Sequence, residues 1–280
     1  MTIELDNLTF RYGKKSPDAL SGLTATVAPG IHLLLGENGA GKTTLLHLID
    51  GLLFPTSGGC AIDGAQTSLR LPSILSRVFF AGPTTPLPAR NVDELVRIHA
   101  QFYPHSSAEL LADNLAQFGV SPEAPFKSLS MGSRQKAMVA YALALRTEVL
   151  LLDEPATGLD IDSKLMLQKM IAASVDESQT VIVSTHNIAD LERLYDGVIV
   201  LNRGRLMLAA TVDDVLSRVA FVHSARRPDG ALYCEEGLGG CQAIVGAGAG
   251  VPESDIDFRL LYAALHQPDC SELLKTLNTK

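Results

Sequence analysis

Between the apolar runs Ile31-His32-Leu33-Leu34-Leu35 and Leu45-Leu46-His47-Leu48-Ile49 the chain reads GENGAGKTT, Gly36 to Thr44. The spacing G-x-x-x-x-G-K-T calls for a buried strand, a loop folded around an anion and a buried helix, in that order. Glycines admit backbone conformations closed to other residues. Successive N–H groups along Gly36, Glu37, Asn38, Gly39, Ala40 and Gly41 can therefore turn inward and line a concavity for phosphate. The helix that starts at this point adds unpaired N–H groups and the positive end of its dipole, with Thr44 in its first turn. Lys42 is placed to reach β- and γ-phosphates, and the Thr43 hydroxyl to offer magnesium a hard oxygen ligand. The pattern implies binding of a nucleoside triphosphate.

A second site follows from Val149-Leu150-Leu151-Leu152, a continuous apolar run of strand length that delivers Asp153-Glu154 at its carboxyl end. Such runs suit the buried centre of a parallel sheet, and ligands gather at the carboxyl ends of its strands. Acids buried after an apolar run are costly without a cation. Asp153 is the candidate magnesium ligand and Glu154 the candidate general base for an attacking water. Strands alternate with helices along the chain, Val181 to Val183 being another buried strand. The expected architecture is α/β: a mostly parallel sheet with helices on both faces. The N-terminal residues read as antiparallel β, with a hairpin signal at Asp63-Gly64. Further helices are expected over Asn91 to about Ala116, to Leu145, over Ser163 to Ala173 and over Asn187 to Tyr195. Pro155 and Gly158 are expected to bend the chain away and leave Leu159-Asp160 exposed. Beyond about residue 210 the composition turns glycine-rich, which suggests a small separate α+β module.

Composition narrows the partners. A net charge of −8 over 280 residues argues against a broad basic surface for nucleic acid. The acidic start MTIELDNLTF lacks the basic and apolar segments of a signal peptide. The longest uncharged apolar stretch, Ala137 to Leu145, is short of a membrane span. A cytoplasmic chain is expected, with Cys60, Cys234, Cys241 and Cys270 reduced, although Cys234 and Cys241 leave open a bond or half of a metal site.

LSMGSRQ (Leu129 to Gln135), VLLLDEP (Val149 to Pro155), TGLD (Thr157 to Asp160) and STH (Ser184 to His186) follow the phosphate loop in order. Together they resemble the nucleotide-binding subunit of an ATP-binding cassette (ABC) transporter over residues 1–210, with a P-loop NTPase fold and an inserted helical subdomain at about 85–145. Residues 211–280 would form the accessory module. The resemblance is nearest to prokaryotic export systems. It implies that Tyr12 stacks on adenine, that Ser130 and Gly132 contact the γ-phosphate of ATP held by a second subunit, that Asp160 lies across the dimer interface, and that His186 contacts the γ-phosphate. It also implies ATP and Mg2+ as cofactors, a homodimer or a heterodimer with another cassette, and hydrolysis by Glu154 with Lys42 and His186. An integral-membrane permease would hold the chain at the cytoplasmic face of the membrane. His32, His47, His99, His105, His223 and His266 carry no assigned role.

The chain departs from this family's pattern in two places. The usual glutamine after the strand that follows the hairpin falls, in VFFAGPTTP, on Pro83 or Gly82, neither of which has a side chain able to bind metal. With Met131 and Ser133 also replacing the usual signature residues, a weak ATPase is expected of the isolated chain. The alternatives are a soluble cassette ATPase acting on nucleic acid or ribosomes, which the acidic balance and the single cassette disfavour, and a GTPase, which would need an absent N-K-x-D segment.

Overall fold

The computed structural model describes residues 1–83, 85, 87–186, 194–237, 239–248 and 254–278. Strands β1 (Ile3–Phe10), β2 (Leu20–Val27) and β3 (Gly30–Leu35) lead to helix α1 (Lys42–Ile49). Then come β4 (Ser57–Ile62), β5 (Ala65–Gln66), the short α2 (Pro72–Leu75) and β6 (Val78–Ala81). The β4–β5 turn passes through Asp63 and Gly64, both at positive φ, as the Asp-Gly hairpin signal requires. Helices α3 (Val92–His99), α4 (Ala108–Phe118) and α5 (Met131–Ala144) precede β7 (Val149–Asp153), α6 (Ile161–Ser174) and β8 (Thr180–Thr185). The chain ends in β9 (Gly197–Asn202), β10 (Arg205–Thr211), α7 (Val212–Leu216), β11 (Val219–Ser224), β12 (Tyr233–Gly237), β13 (Gly240–Gly246), α8 (Phe258–Leu265) and α9 (Ser271–Asn278).

The central sheet has the order β10-β9-β3-β8-β7-β6, parallel from β9 to β6 with β10 antiparallel at the edge. Side chains alternate across its faces with period two. Leu33, Leu150, Leu152, Val181 and Val183 face the cluster that includes α5 and α6, whereas Leu34, Leu151, Ile182 and Ile199 face α1 and the antiparallel sheet β2-β1-β4-β5. A strand buried on both faces must be apolar throughout, which is why Val149 to Leu152 carries no polar residue.

The sequence suggests one helical stretch over Asn91 to Ala116, but the structure breaks it between Ala100 and Ser107. Tyr103 precedes Pro104 and takes φ −116°, ψ 102°, because the proline ring disfavours helical backbone in the residue before it. Each resulting helix has its own cap: Asn91 accepts from Glu94 N–H at 2.9 Å and Ser107 from Leu110 N–H at 3.1 Å. The helix expected over Asn187 to Tyr195 falls mostly on residues 187–193, outside the described residues.

The C-terminal sheet β11-β13-β12 and α8 join the same apolar cluster as the central sheet through Ile244, Phe258, Leu261 and Leu208. Tyr195 and Phe258 meet edge to face at 5.7 Å, and Arg218 donates to the Leu277 carbonyl. The register of β12 and β13 puts Cys234 and Cys241 diagonally opposite, and they form a disulfide. This corrects the expectation of reduced thiols for that pair; Cys60 and Cys270 are free. Cys60 is buried, which pushes its thiol up to about 12. Among the described residues no helix is long and apolar enough to cross a membrane.

Candidate functional site

The loop from Gly36 to Gly41 owes its shape to three glycines that serve different ends. Gly36 allows close approach, since a Cβ there would lie 2.8 Å from the Leu201 carbonyl oxygen of β9. Gly39 and Gly41 hold left-handed backbone at φ 83° and 104°, where other residues are strained. Between them, Ala40 donates its N–H to the Glu37 carbonyl at 3.0 Å and is buried, while Glu37, Asn38 and Gly39 are exposed.

Lys42, the first residue of α1, is buried and donates from Nζ to the Gly36 carbonyl at 2.6 Å. Burial lowers its pKa, and the charges of Glu154 and Asp153 oppose that shift. The next residue, Thr43, is exposed and donates its hydroxyl to Asp153 Oδ2 at 2.7 Å. Thr44 Oγ1 lies 2.8 Å from the Tyr12 hydroxyl. The Tyr12 ring stands 66% exposed and edge-on to Phe10, so one side of it is open for stacking.

The two acids at the end of β7 differ in environment. Asp153 is buried and accepts a second hydroxyl, from Ser184, on Oδ1. Glu154 takes φ 51°, a left-handed conformation that costs an ordinary residue about 1–3 kcal/mol and clusters at functional sites. Its Oε2 lies 2.8 Å from His186 Nδ1 and 3.4 Å from the Thr157 hydroxyl. A cleft of about 360 Å³ opens between Tyr12, the phosphate loop, Asp153 and Glu154. Its hard oxygens, the Thr43 hydroxyl and the Asp153 carboxylate, are the donor types that magnesium takes, so these residues fit the ion.

Ser130, Gly132 and Asp160 do not line this cleft. Ser130 caps α5, accepting from Ser133 N–H at 3.1 Å, and Asp160 caps α6, accepting from Ser163 N–H at 2.8 Å. The first turn of α5 packs backbone to backbone on the segment after Glu154: a Cβ on Gly132 would lie 2.8 Å from the Gly158 carbonyl oxygen. Gln135 donates to the Pro155 carbonyl at 3.3 Å, and Lys136 lies 3.9 Å from Asp160. Leu159 is buried rather than exposed, because this packing turns it into the core while Asp160 stays outside.

Where the family glutamine is missing, Gly82 is buried and Pro83 exposed. Gly82 lies against Asp153 and Phe80, and its N–H donates to Thr85 Oγ1 at 2.8 Å. Ser184 draws no role from the sequence beyond its place in the STH motif. Its partner is set by the β7–β8 register, in which it pairs with Asp153, and no local pattern encodes that.

Comparison with known proteins extends this picture. The family profile "ABC transporter" matches residues 20–157. The chain is 35% identical over 241 residues to the nickel import ATP-binding protein NikO of Rhodobacter capsulatus, covering 80% of this chain and 94% of that protein. It is 30% identical over 240 residues to an energy-coupling factor transporter ATP-binding protein of Streptococcus thermophilus, covering 79% and 85%. Among solved structures, the ATP-binding subunit of an ABC transporter superposes with a TM-score of 0.68 at 27% identity, covering 77% of this chain and 92% of that one.

Proposed function

The chain belongs to the family of ABC transporter ATP-binding proteins, and from that membership we propose that two such cassettes close around ATP, hydrolyse it and thereby drive a separate membrane permease. The observation that carries the proposal is the convergence of Lys42, Thr43, Asp153 and Glu154 on one cleft, with His186 against the Glu154 carboxylate. The loop N–H groups and Lys42 bind the triphosphate, and Tyr12 offers its open ring to the base. Thr43 and Asp153 would hold magnesium, which when bound neutralises charge on the phosphate oxygens. Glu154, held by His186 and Thr157 on the same oxygen, orients a water and takes its proton. Ser130, Gly132 and Asp160 serve the nucleotide of the partner cassette, which accounts for their place outside the cleft.

Exposed Leu52, Leu69 and Leu71, drawn together where Arg70 donates to the Gly51 carbonyl, support docking of an apolar permease surface at the cytoplasmic face of the membrane. The expectation of export rests on LSMGSRQ and the C-terminal module alone, while one relative is a nickel import protein. The proposal is therefore the coarser one, a transport ATPase whose direction is set by its permease.

Light scattering of the Glu154→Gln chain tests the dimer. ATP with magnesium is expected to double the mass, and Lys42→Ala or Ser130→Ala to abolish the change. A Glu154→Gln chain that binds ATP and stays monomeric at all concentrations would overturn the self-sufficient dimer.

A further inference from the structure

One hydroxyl joins the two acids of the cleft. Ser184, at the end of β8, is fully buried. Its O–H donates to Asp153 Oδ1, while its Oγ accepts from Glu154 N–H at 3.2 Å. The Ser184 carbonyl accepts from the same N–H at 3.1 Å. Asp153 is thus gripped on both carboxylate oxygens, by Ser184 on Oδ1 and by Thr43 on Oδ2. This fixes the plane of the carboxylate. Glu154, whose φ of 51° is unfavourable for a side-chain-bearing residue, is held there by two acceptors on one neighbour.

We infer that Ser184 is a positioning residue for ATP hydrolysis: its hydroxyl sets the orientation of the Asp153 carboxylate and the backbone of Glu154 through two hydrogen bonds, one donated and one accepted. The inference rests on the roles proposed above for Asp153 and Glu154. An ordinary tie between strand ends would need only the ladder bonds between β7 and β8, which a change of side chain leaves in place. The hydroxyl, in contrast, acts on the groups that hold metal and water, where small misplacements are expensive in rate.

The test compares Ser184→Thr with Ser184→Val, which share a shape and differ by the hydroxyl, in the full chain. Ser184→Thr is expected to keep kcat within about threefold of the wild type, and Ser184→Val to lose about tenfold or more in kcat with KM for ATP nearly unchanged. Magnesium should strengthen binding of a fluorescent ATP analogue less in Ser184→Val than in Ser184→Thr, at equal melting temperatures. Equal kcat in the two variants beside an inactive Glu154→Gln would overturn the role of Ser184 alone. A Glu154→Gln chain that turns over like the wild type would overturn the base assignment and this inference with it. Should Val lower the melting temperature more than Thr, Ser184→Ala, which introduces no bulk, decides the matter: unchanged kcat overturns the inference, and a tenfold loss with unchanged KM upholds it.

Discussion

Gly39 and Gly41 share left-handed backbone, yet alanine at each meets different surroundings. A Cβ on Gly39 has no heavy atom within 4 Å, whereas one on Gly41 lies 2.5 Å from Leu20 Cδ2 and 3.0 Å from the Ala19 carbonyl oxygen. Left-handed backbone costs an L-residue about 1–2 kcal/mol, and Gly39→Ala is expected to lose stability by that amount. Gly41→Ala incurs the same cost and adds overpacking of about 1–3 kcal/mol, because Leu20 is fully buried and the second obstacle is backbone. The expected gap between the variants is therefore about 1–3 kcal/mol, read from urea unfolding of the nucleotide-free chain at constant m-value. Measuring without nucleotide keeps stability apart from any effect on phosphate binding. Equal losses would refute the packing argument and mean that Leu20 and Ala19 yield without cost. A larger loss at Gly39 would mean that the open side of the loop is the more confined one, the reverse of the contacts described.

Burial raises Asp50 to about 7 against the pull of Arg70, so the folded chain keeps a proton that the unfolded chain releases near pH 4. Stability from this group is then present below about pH 4 and is lost as pH rises towards 7. Asp50→Asn should consequently gain roughly 1–3 kcal/mol relative to the wild type between pH 5 and pH 8, and a gain independent of pH in melting experiments would contradict it. Where the family glutamine is absent, Pro83→Gln at an exposed position should change stability by less than about 0.5 kcal/mol. Gly82→Ala, whose Cβ would lie 2.8 Å from Phe80 Cζ and 3.1 Å from Asp153 Cβ, should cost about 1–3 kcal/mol in unfolding and lower ATP turnover as well. The reverse ranking would remove Gly82 from its place beside Asp153.

What was legible in the sequence was what local chemistry dictates. The phosphate loop and Asp153-Glu154 declare themselves because a strand, a turn and an anion site must occupy consecutive residues. The alternation of apolar runs sufficed for the parallel sheet. Relations set by strand register were not legible: Ser184 against Asp153 and Gly82 wedged between Phe80 and Asp153 are meetings of residues far apart in the chain, and for Cys234 and Cys241 the sequence left a bond open without deciding it. The break at Tyr103-Pro104 was readable from the proline, but the apolar periodicity across it masked the signal. Leu159 read as a loop residue because its neighbours Gly158 and Asp160 are turn formers, and only the packing of α5 on that loop decides that it points inward.

The same packing bears on the proposed pairing of two cassettes. The first turn of α5 and the segment from Pro155 to Asp160 form a single joint, fastened by the Gly132–Gly158 contact and by Gln135 on the Pro155 carbonyl. The joint presents two helix N-termini, capped by Ser130 and Asp160, together with Met131 and Ile161 at 71% and 77% exposure. Large apolar side chains left in water beside positive helix ends suit a surface that is covered by something carrying negative charge. The second cassette proposed above, with ATP in its cleft, would supply that charge. Glu154 adjoins this joint at Pro155, so in the proposed dimer a partner's nucleotide docked on Ser130 would bear, through the contact of Gln135 with the Pro155 carbonyl, on the segment that carries Glu154. On the proposed dimer, turnover per chain is expected to rise with chain concentration unless a permease holds the cassettes together.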